Sequence, residues 1–535
     1  MVPRPAARPD AIPTLWAFPN TYSVGITSLG YQWVWALLLA RPDLRVHRLF
    51  TDCYEDRCGR PELLGFSVSW ELDYVHILDL LEWLDIPLQA SERQAHHPLV
   101  FGGGPVLSAN PEPYADFFDV VLLGDAEVVL GAFIDAYQMV RDQDRDSQLQ
   151  YLAQVPGLYV PQAYTVSYTD PTGPVAAIQP LGSAPATVAR QVYRGNTLAT
   201  STVVTPQAAW ENIYLVEVVR SCPEMCRFCL ASYLTLPFRS ADLGEGLIPA
   251  LERGLEVTDR IGLLGASVTQ HPEFPELLAL LGRPAYDHVR LSLASVRAST
   301  VTLELAETLA RRGSHSLTIA VESGSERLRQ VINKKLDQAA IHQAAQLAQA
   351  GGLKGLKLYG MVGLPTETEA DIEATVQLLT DLRRLAPRLR LTLGCSTFVP
   401  KAQTPFQWQG VDPQAEKRLQ RLSRPAGRLG VEFRPESYRD SLIQALLSRG
   451  DRRLNPLLRL TRHYGDSLGS YRRAFKELRG QLPPLEHYVH ACWDRSDLLP
   501  WQHLTGTLTQ SLLTKHHDLA LAEAQPLATA RSHSL

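Results

Sequence analysis

Three cysteines, Cys222, Cys226 and Cys229, stand in the run Glu217-Val-Val-Arg-Ser-Cys-Pro-Glu-Met-Cys-Arg-Phe-Cys. The spacing is C-x3-C-x2-C, with an aromatic residue just before the last cysteine. Thiolates are the ligands that iron clusters prefer, and full ligation of a four-iron cluster takes four of them. Three on one short loop can hold three irons of a cubane and leave the fourth iron without a protein ligand. Such an open iron can bind a small molecule and pass it an electron. A structural zinc site would call for four protein ligands and often pairs two knuckles. No second knuckle is present, and the next cysteine is Cys395. Zinc and inert burial are the competing readings, and the spacing favours the cluster.

The elements around the loop agree with this chemistry. Residues 213–219 alternate as a strand does. Six candidate strands follow one another at 213–220, 260–266, 288–294, 316–322, 354–362 and 389–396, mostly with helical patterns between them. Six such units predict an open, partial (β/α)6 barrel over residues 211–408, with its chemistry at the carboxyl ends of the strands. The cysteine loop falls at the carboxyl end of the first strand. Glu322-Ser323-Gly324-Ser-Glu326 follows the fourth, where Ser323-x-x-Glu326 fits a helix capping box with Ser323 as N-cap. Gly360 and Gly363 follow the fifth and let backbone approach a ligand closely. Thr366-x-x-Glu369 fits a second capping box. After the sixth, the proline-stiffened segment 397–408 either lines a substrate mouth with Lys401 and its aromatics or serves as a rigid packing loop.

Upstream, apolar runs at 15–18, 46–50, 63–68, 99–101 and 120–123 alternate with helical patterns at 32–39 and 74–84. They predict a doubly wound, Rossmann-like α/β domain over residues 13–140. Gly102-Gly-Gly-Pro105 would lie at the ligand-binding end of its sheet. Residues 141–210 read as a β-rich linker with a hairpin turn at 166–173. Residues 409–520 read as a helical C-terminal region, and 521–535 as a flexible tail.

Bulk composition sets outer limits. A net charge of -4 gives no global case for nucleic-acid or acidic-membrane binding. Arginines crowd residues 449–479; they read as a solvated, salt-bridged helix face in preference to an RNA-phosphate site. Seven cysteines, an odd number in a chain of 535 residues, argue against a disulfide framework and for metal or redox use in a reducing compartment. The proline-rich start lacks a signal-peptide core, and the apolar run 31–40 is too short to span a bilayer. The expectation is a cytoplasmic enzyme with no membrane partner.

The cysteine motif and its barrel resemble the radical SAM superfamily. The resemblance implies a [4Fe-4S] cluster on Cys222, Cys226 and Cys229, and S-adenosyl-L-methionine on the open iron. One electron, from a donor such as a flavodoxin or ferredoxin, would cleave it to methionine and a 5′-deoxyadenosyl radical. Phe228 matches the position that contacts adenine. Gly265, Ala266 and Ser267 fall where the family often carries a Gly-Gly-Glu segment at the methionyl amine, but the glutamate is missing. Glu322 matches a ribose-binding carboxylate, and the loop from Gly360 to Gly363 a backbone contact to adenine.

The resemblance extends over residues 13–515. Phe18-Pro-Asn-Thr-Tyr22, Gly65-Phe-Ser-Val-Ser-Trp70, Asn110-Pro-Glu-Pro113, Phe398-Val-Pro-Lys401 and Ser448-Arg-Gly-Asp-Arg452 are similar to a subgroup with an N-terminal cobalamin-binding-type domain. The subgroup's Asp-x-His-x-x-Gly cobalamin motif has no counterpart here, and the loop 51–58 has no histidine. Ser67, Ser69 and the Gly102–Gly104 turn could still cradle a nucleotide tail. A scaffold for substrate or partner is therefore the preferred reading of this domain, and bound cobalamin the alternative. Cys53 and Cys58 fall one cysteine short of a second cluster; Cys395 and Cys492 read as core residues. The leading expectation is reductive cleavage of S-adenosylmethionine to start radical chemistry on an RNA, protein or small-molecule substrate. The alternatives are a cobalamin-dependent methyltransferase and a non-catalytic iron-sulfur sensor.

Overall fold

The computed structural model describes residues 6–54, 59–294 and 296–524. The first sheet contains β1 (Ile12–Ala17), β2 (Leu44–Leu49), β3 (Leu63–Ser67), β4 (Leu99–Gly103), β5 (Val120–Leu122) and β6 (Leu158–Tyr159). Their order is β2-β1-β3-β4-β5-β6. The first five are parallel and β6 runs antiparallel to β5. The doubly wound expectation is met. Strands such as β3, with every residue buried, need helices on both faces, and those faces fill with separate apolar clusters. Gly104 leaves β4 at φ 111°, where a Cβ would meet the Val68 carbonyl oxygen at 2.4 Å. Only glycine fits that turn.

Next come the hairpin β7 (Tyr164–Tyr168) and β8 (Val175–Pro180), and the short β9 (Val188–Ala189). The hairpin turn lies three residues later than the sequence suggests, closed by Thr169 N–H donating to Pro174 O at 3.1 Å.

The barrel begins with β10 (Tyr214–Glu217). A small antiparallel ribbon, β11 (Val219–Arg220) with β12 (Arg239–Ser240), brackets the cysteine loop. β13 (Arg260–Leu264) and β14 (Arg290–Leu293) extend β10 in parallel. A parallel bridge from Val296 to Ile319 continues to β15 (Ser316–Glu322), β16 (Gly355–Val362), β17 (Arg390–Thr397) and β18 (Glu432–Pro435). The barrel stays open between β10 and β18, as expected. β18 is an addition to the six expected strands. It is short and mostly exposed, so it carries no apolar run to betray it.

Both capping boxes shift. The helix Glu326–Val331 is capped by Ser325, because the chain leaves β15 through a left-handed Glu322 that turns Ser323 inward. The helix Glu369–Leu385 is capped by Thr368 with Asp371; Thr366 is instead left-handed at φ 68°.

The C-terminal region is helical apart from β18 and β19 (Leu504–Thr505), which pairs with β9. It packs on the first sheet, sharing one core with it. Several of its arginines are internal ties and do not form the expected solvated face. Arg449 is fully buried, donates to the carbonyls of Tyr488 and Ala491 at 2.9 Å and stacks on Trp493. Arg452 meets Glu112 at 2.7 Å, and Arg462 meets Asp79 and Glu82. Lys401 is likewise no mouth residue; it pairs with Glu71 and donates to Ser448 Oγ at 3.1 Å, while Phe398, Phe406 and Trp408 are buried. The packing reading of that segment holds. Residues 521–524, expected in a flexible tail, continue the helix Gln510–Ala524; 525–535 lie outside the described residues. No helix among the described residues is long and apolar enough to cross a membrane.

Candidate functional site

The cysteine loop is shaped by two left-handed residues, Ser221 at φ 71° and Met225 at φ 56°. Such conformations in non-glycine residues persist where surrounding bonds over-determine them. Here the bonds come from the segment after β15. Asn333 Nδ2 donates to the carbonyls of Met225 at 2.9 Å and Glu224 at 3.2 Å. Arg227 N–H donates to Ile332 O, and its guanidinium donates to Val331 O at 2.6 Å and pairs with Glu523 at 2.5 Å. Tyr233 OH donates to Met225 O at 3.0 Å. Backbone carbonyls on one side of the loop are thus tied down.

Cys226 is buried, and Cys222 and Cys229 are half-buried. Burial pushes the Cys226 thiol up to about 12; Cys229, Glu322 and Cys222 add to this, and only Lys334 opposes it. Burial, with Cys229 and Glu224, also raises Cys222. Cys226 and Cys222, two thiols that resist ionising on one loop, suit a group that brings positive charge to them, which is what an iron-sulfur cluster does. Among the described residues no three His, Cys, Asp or Glu side chains converge on one point for a single metal ion. A cluster asks for something else: each thiol on its own iron. The donor set fits.

Lys334 escaped sequence reasoning. Its ammonium is nearly buried and lies 2.8 Å from Glu322 Oε1. Burial pulls its pKa down, but Glu322, Cys226 and Cys229 outweigh this and hold it raised. Glu322 is itself left-handed at φ 61°, on a bulge that ends β15. A carboxylate and a cation thus stand together beside the thiols at the carboxyl end of the barrel.

The other expected residues divide. Gly360 pairs in register with Glu322. Phe228 and Met361 pack half-buried on one apolar cluster. Gly265 sits at φ 153°, where a Cβ would strike the Val219 carbonyl at 2.7 Å. Ala266 and Ser221 line one cavity. Ser267 is buried and bonded to Gln270, whose amide donates to Glu224 at 2.6 Å; Arg297 sits 3.3 Å from the same carboxylate. The loop lacking the family's glutamate is therefore stitched to a carboxylate of the cysteine loop. Gly363 lies at φ 77° after β16. Its N–H donates to Glu367 at 2.6 Å, and its Cα faces Ala415 and Asp412.

Glu367 carries a pH signature. Burial pushes it up to about 7, against the pull of the Gly363 N–H and of Arg418 at 3.0 Å. A carboxyl raised from about 4.5 favours the fold while protonated. Its contribution is complete below about 4.5 and is lost as pH rises through about 7. Glu367→Gln is therefore expected to flatten the fall in melting temperature across that window. An unchanged slope would assign the titration elsewhere.

The cavity of about 420 Å3 lies between the two sheets. Gly104, Gly124 and Asp125 reach it from the first sheet, and Ser221, Gly265 and Ala266 from the barrel. On its wall Arg220 pairs with Asp125 at 3.1 Å, Glu127 at 2.9 Å and Glu217 at 2.7 Å. No sequence signal joined these residues, because they come together across two domains.

Of the remaining cysteines, Cys395 is buried as expected, Cys492 is exposed and so is no core residue, Cys53 is half-buried, and Cys58 lies outside the described residues.

Two stretches match known sequence families: residues 43–161 match "Radical SAM proteins, N-terminal", and 216–379 match "Radical SAM superfamily". An uncharacterised protein of Methanocaldococcus jannaschii is 27% identical over 443 residues, 82% of this chain and 89% of that one. The tRNA-2-methylthio-N(6)-dimethylallyladenosine synthase of Chloroherpeton thalassium is 25% identical over 177 residues, 31% of this chain and 39% of that enzyme. In fold, the chain is similar to the radical S-adenosylmethionine methyltransferase TsrM from Kitasatospora setae, solved with cobalamin and a [4Fe-4S] cluster. The TM-score is 0.52 at 14% identity, covering 96% of this chain and 99% of that one.

Proposed function

From the premise that this enzyme belongs to the radical SAM superfamily, we propose that Cys222, Cys226 and Cys229 hold a [4Fe-4S] cluster and that S-adenosylmethionine binds beside it. The observation that carries the reading is the loop of three thiols, with Cys226 buried and resistant to ionising, next to the Glu322–Lys334 pair. Once bound, the cluster supplies one electron for reductive cleavage of S-adenosylmethionine, giving methionine and a 5′-deoxyadenosyl radical.

The chain's own residues do the positioning. Lys334 offsets negative charge at the thiolates and offers a cation to a carboxylate, while Glu322 accepts hydrogen bonds from hydroxyl or ammonium donors. Phe228 and Met361 present an apolar face to a base, beside Gly360 in the strand that pairs with Glu322. The cavity beyond Ser221 and Gly265 would hold the substrate. Its mostly apolar wall excludes the water that would quench a radical.

The test is anaerobic reconstitution with iron and sulfide, then dithionite and S-adenosylmethionine. Release of 5′-deoxyadenosine supports the enzyme. An intact cluster without release points to the sensor.

A second reading, a cobalamin-dependent methyltransferase, is favoured by one observation: the first sheet has the flavodoxin-like strand order and turns its carboxyl ends toward the cysteine loop. TsrM, which shares the overall fold, was solved with cobalamin bound. Against it stand the missing Asp-x-His-x-x-Gly motif and a cavity small for a corrin with its nucleotide tail. Purified protein that takes up cobalamin, with its visible absorption, would favour this reading; failure to bind it would leave the first domain a scaffold.

A further inference from the structure

One cation in the cavity between the sheets is left over. Its carboxylates Asp125, Glu127 and Glu217 are all engaged by Arg220, and Asp125 also by Arg239. Arg190 lines the same cavity, and among the described residues no carboxylate pairs with it. Among the described residues its guanidinium makes one hydrogen bond, a donation from Nη1 to the Ser108 carbonyl at 3.2 Å. The guanidinium lies against Gly506, so close that a side chain at 506 would displace it. Its backbone is fixed at both ends of the short β9–β19 ladder, with Arg190 N–H donating to Thr505 O at 2.9 Å. Burial lowers its pKa to about 10, and no neighbouring charge offsets the loss.

A guanidinium carries five donors in a planar fork that matches a carboxylate or phosphate. Desolvating one without a partner is unfavourable, so a fixed, unpaired arginine in a cavity is suited to an anion that arrives from outside. The rest of the wall is largely apolar, with Leu29, Val34, Val192, Leu234 and Leu236. Free inorganic phosphate would meet too few polar partners there. A small organic molecule with an apolar body and one anionic end meets both parts of the wall.

We infer that the substrate is a small organic anion, its carboxylate held by Arg190 and its apolar body directed along the cavity toward Ser221 and Gly265. This rests on the reading of that cavity as the substrate side of the cysteine loop. Arg190 here acts in binding.

The test uses phenylacetate and phenylacetamide, which share a shape and differ in charge, titrated calorimetrically into the reconstituted full chain. Phenylacetate is expected to bind about tenfold or more tightly than the amide, the scale of a charge-assisted hydrogen bond. Arg190→Gln should reduce the preference to within about twofold, and Arg190→Lys should keep part of it. Equal affinity of the wild type for both probes, binding of neither at about millimolar concentration, or a preference that survives in the glutamine variant would each overturn the inference. The wild-type comparison stands even if a variant fails to fold. Release of 5′-deoxyadenosine by the wild type is a separate measurement. A chain that cleaves S-adenosylmethionine but shows no anion preference refutes only the role of Arg190.

Discussion

A Cys226→Ala chain, reconstituted anaerobically, is expected to hold no stable cluster and to release no 5′-deoxyadenosine above a dithionite blank. Cys226 is the most buried of the three thiols, and Lys334 lies near enough to oppose the rise in its pKa. Two thiols cannot replace three, because each serves its own iron. The fold should survive. Removing the buried sulfur costs about 1 kcal/mol, and the loop keeps its ties: carbonyls to Asn333 and Tyr233, and Arg227 donating to the 331–332 carbonyls. Iron and acid-labile sulfide content, with circular dichroism as the check on folding, decide the matter. A Cys226→Ala chain with full iron content would remove the cluster assignment.

The Glu322–Lys334 pair yields the second large effect. Glu322→Gln leaves a nearly buried ammonium without its counter-charge, and breaking such a pair costs about 3 kcal/mol. The variant is therefore expected to melt earlier in the cluster-free form. Adding Lys334→Met removes the stranded cation and should return most of that stability. It should not return affinity for S-adenosylmethionine, which is expected to stay weakened by about tenfold or more in both variants. Stability and affinity thus separate across the two variants. If the double variant binds S-adenosylmethionine as the wild type does, the pair is only structural.

Legibility of this chain followed the length scale of each signal. The long apolar strands of both sheets are local patterns, and the structure has them where the sequence places them. β18 was hidden because four mostly exposed residues bury too little to leave a period. The capping boxes slipped because left-handed residues such as Glu322 and Thr366 redirect the chain without any residue type announcing it. Lys334 and Arg190 were invisible for a different reason. Their meaning depends on which charges stand opposite, and those come from other elements or from none. Arg449 and Lys401 misled in the same way, as charges that look solvated in sequence and prove to be ties between distant segments.

The clasp on the cysteine loop also has a place in time. Arg227 is held by Glu523 and Tyr233 by His516, both on the helix Gln510–Ala524. A ribosome makes that helix nearly three hundred residues after the thiols, and chains begin to fold while synthesis continues. The cysteine loop therefore gains its ties to Tyr233 and to residues 331–333 first, and those to Glu523 and His516 last. Under the proposed cluster, iron delivered during synthesis would meet a loop that still lacks its last two ties, and iron delivered afterwards one that has them.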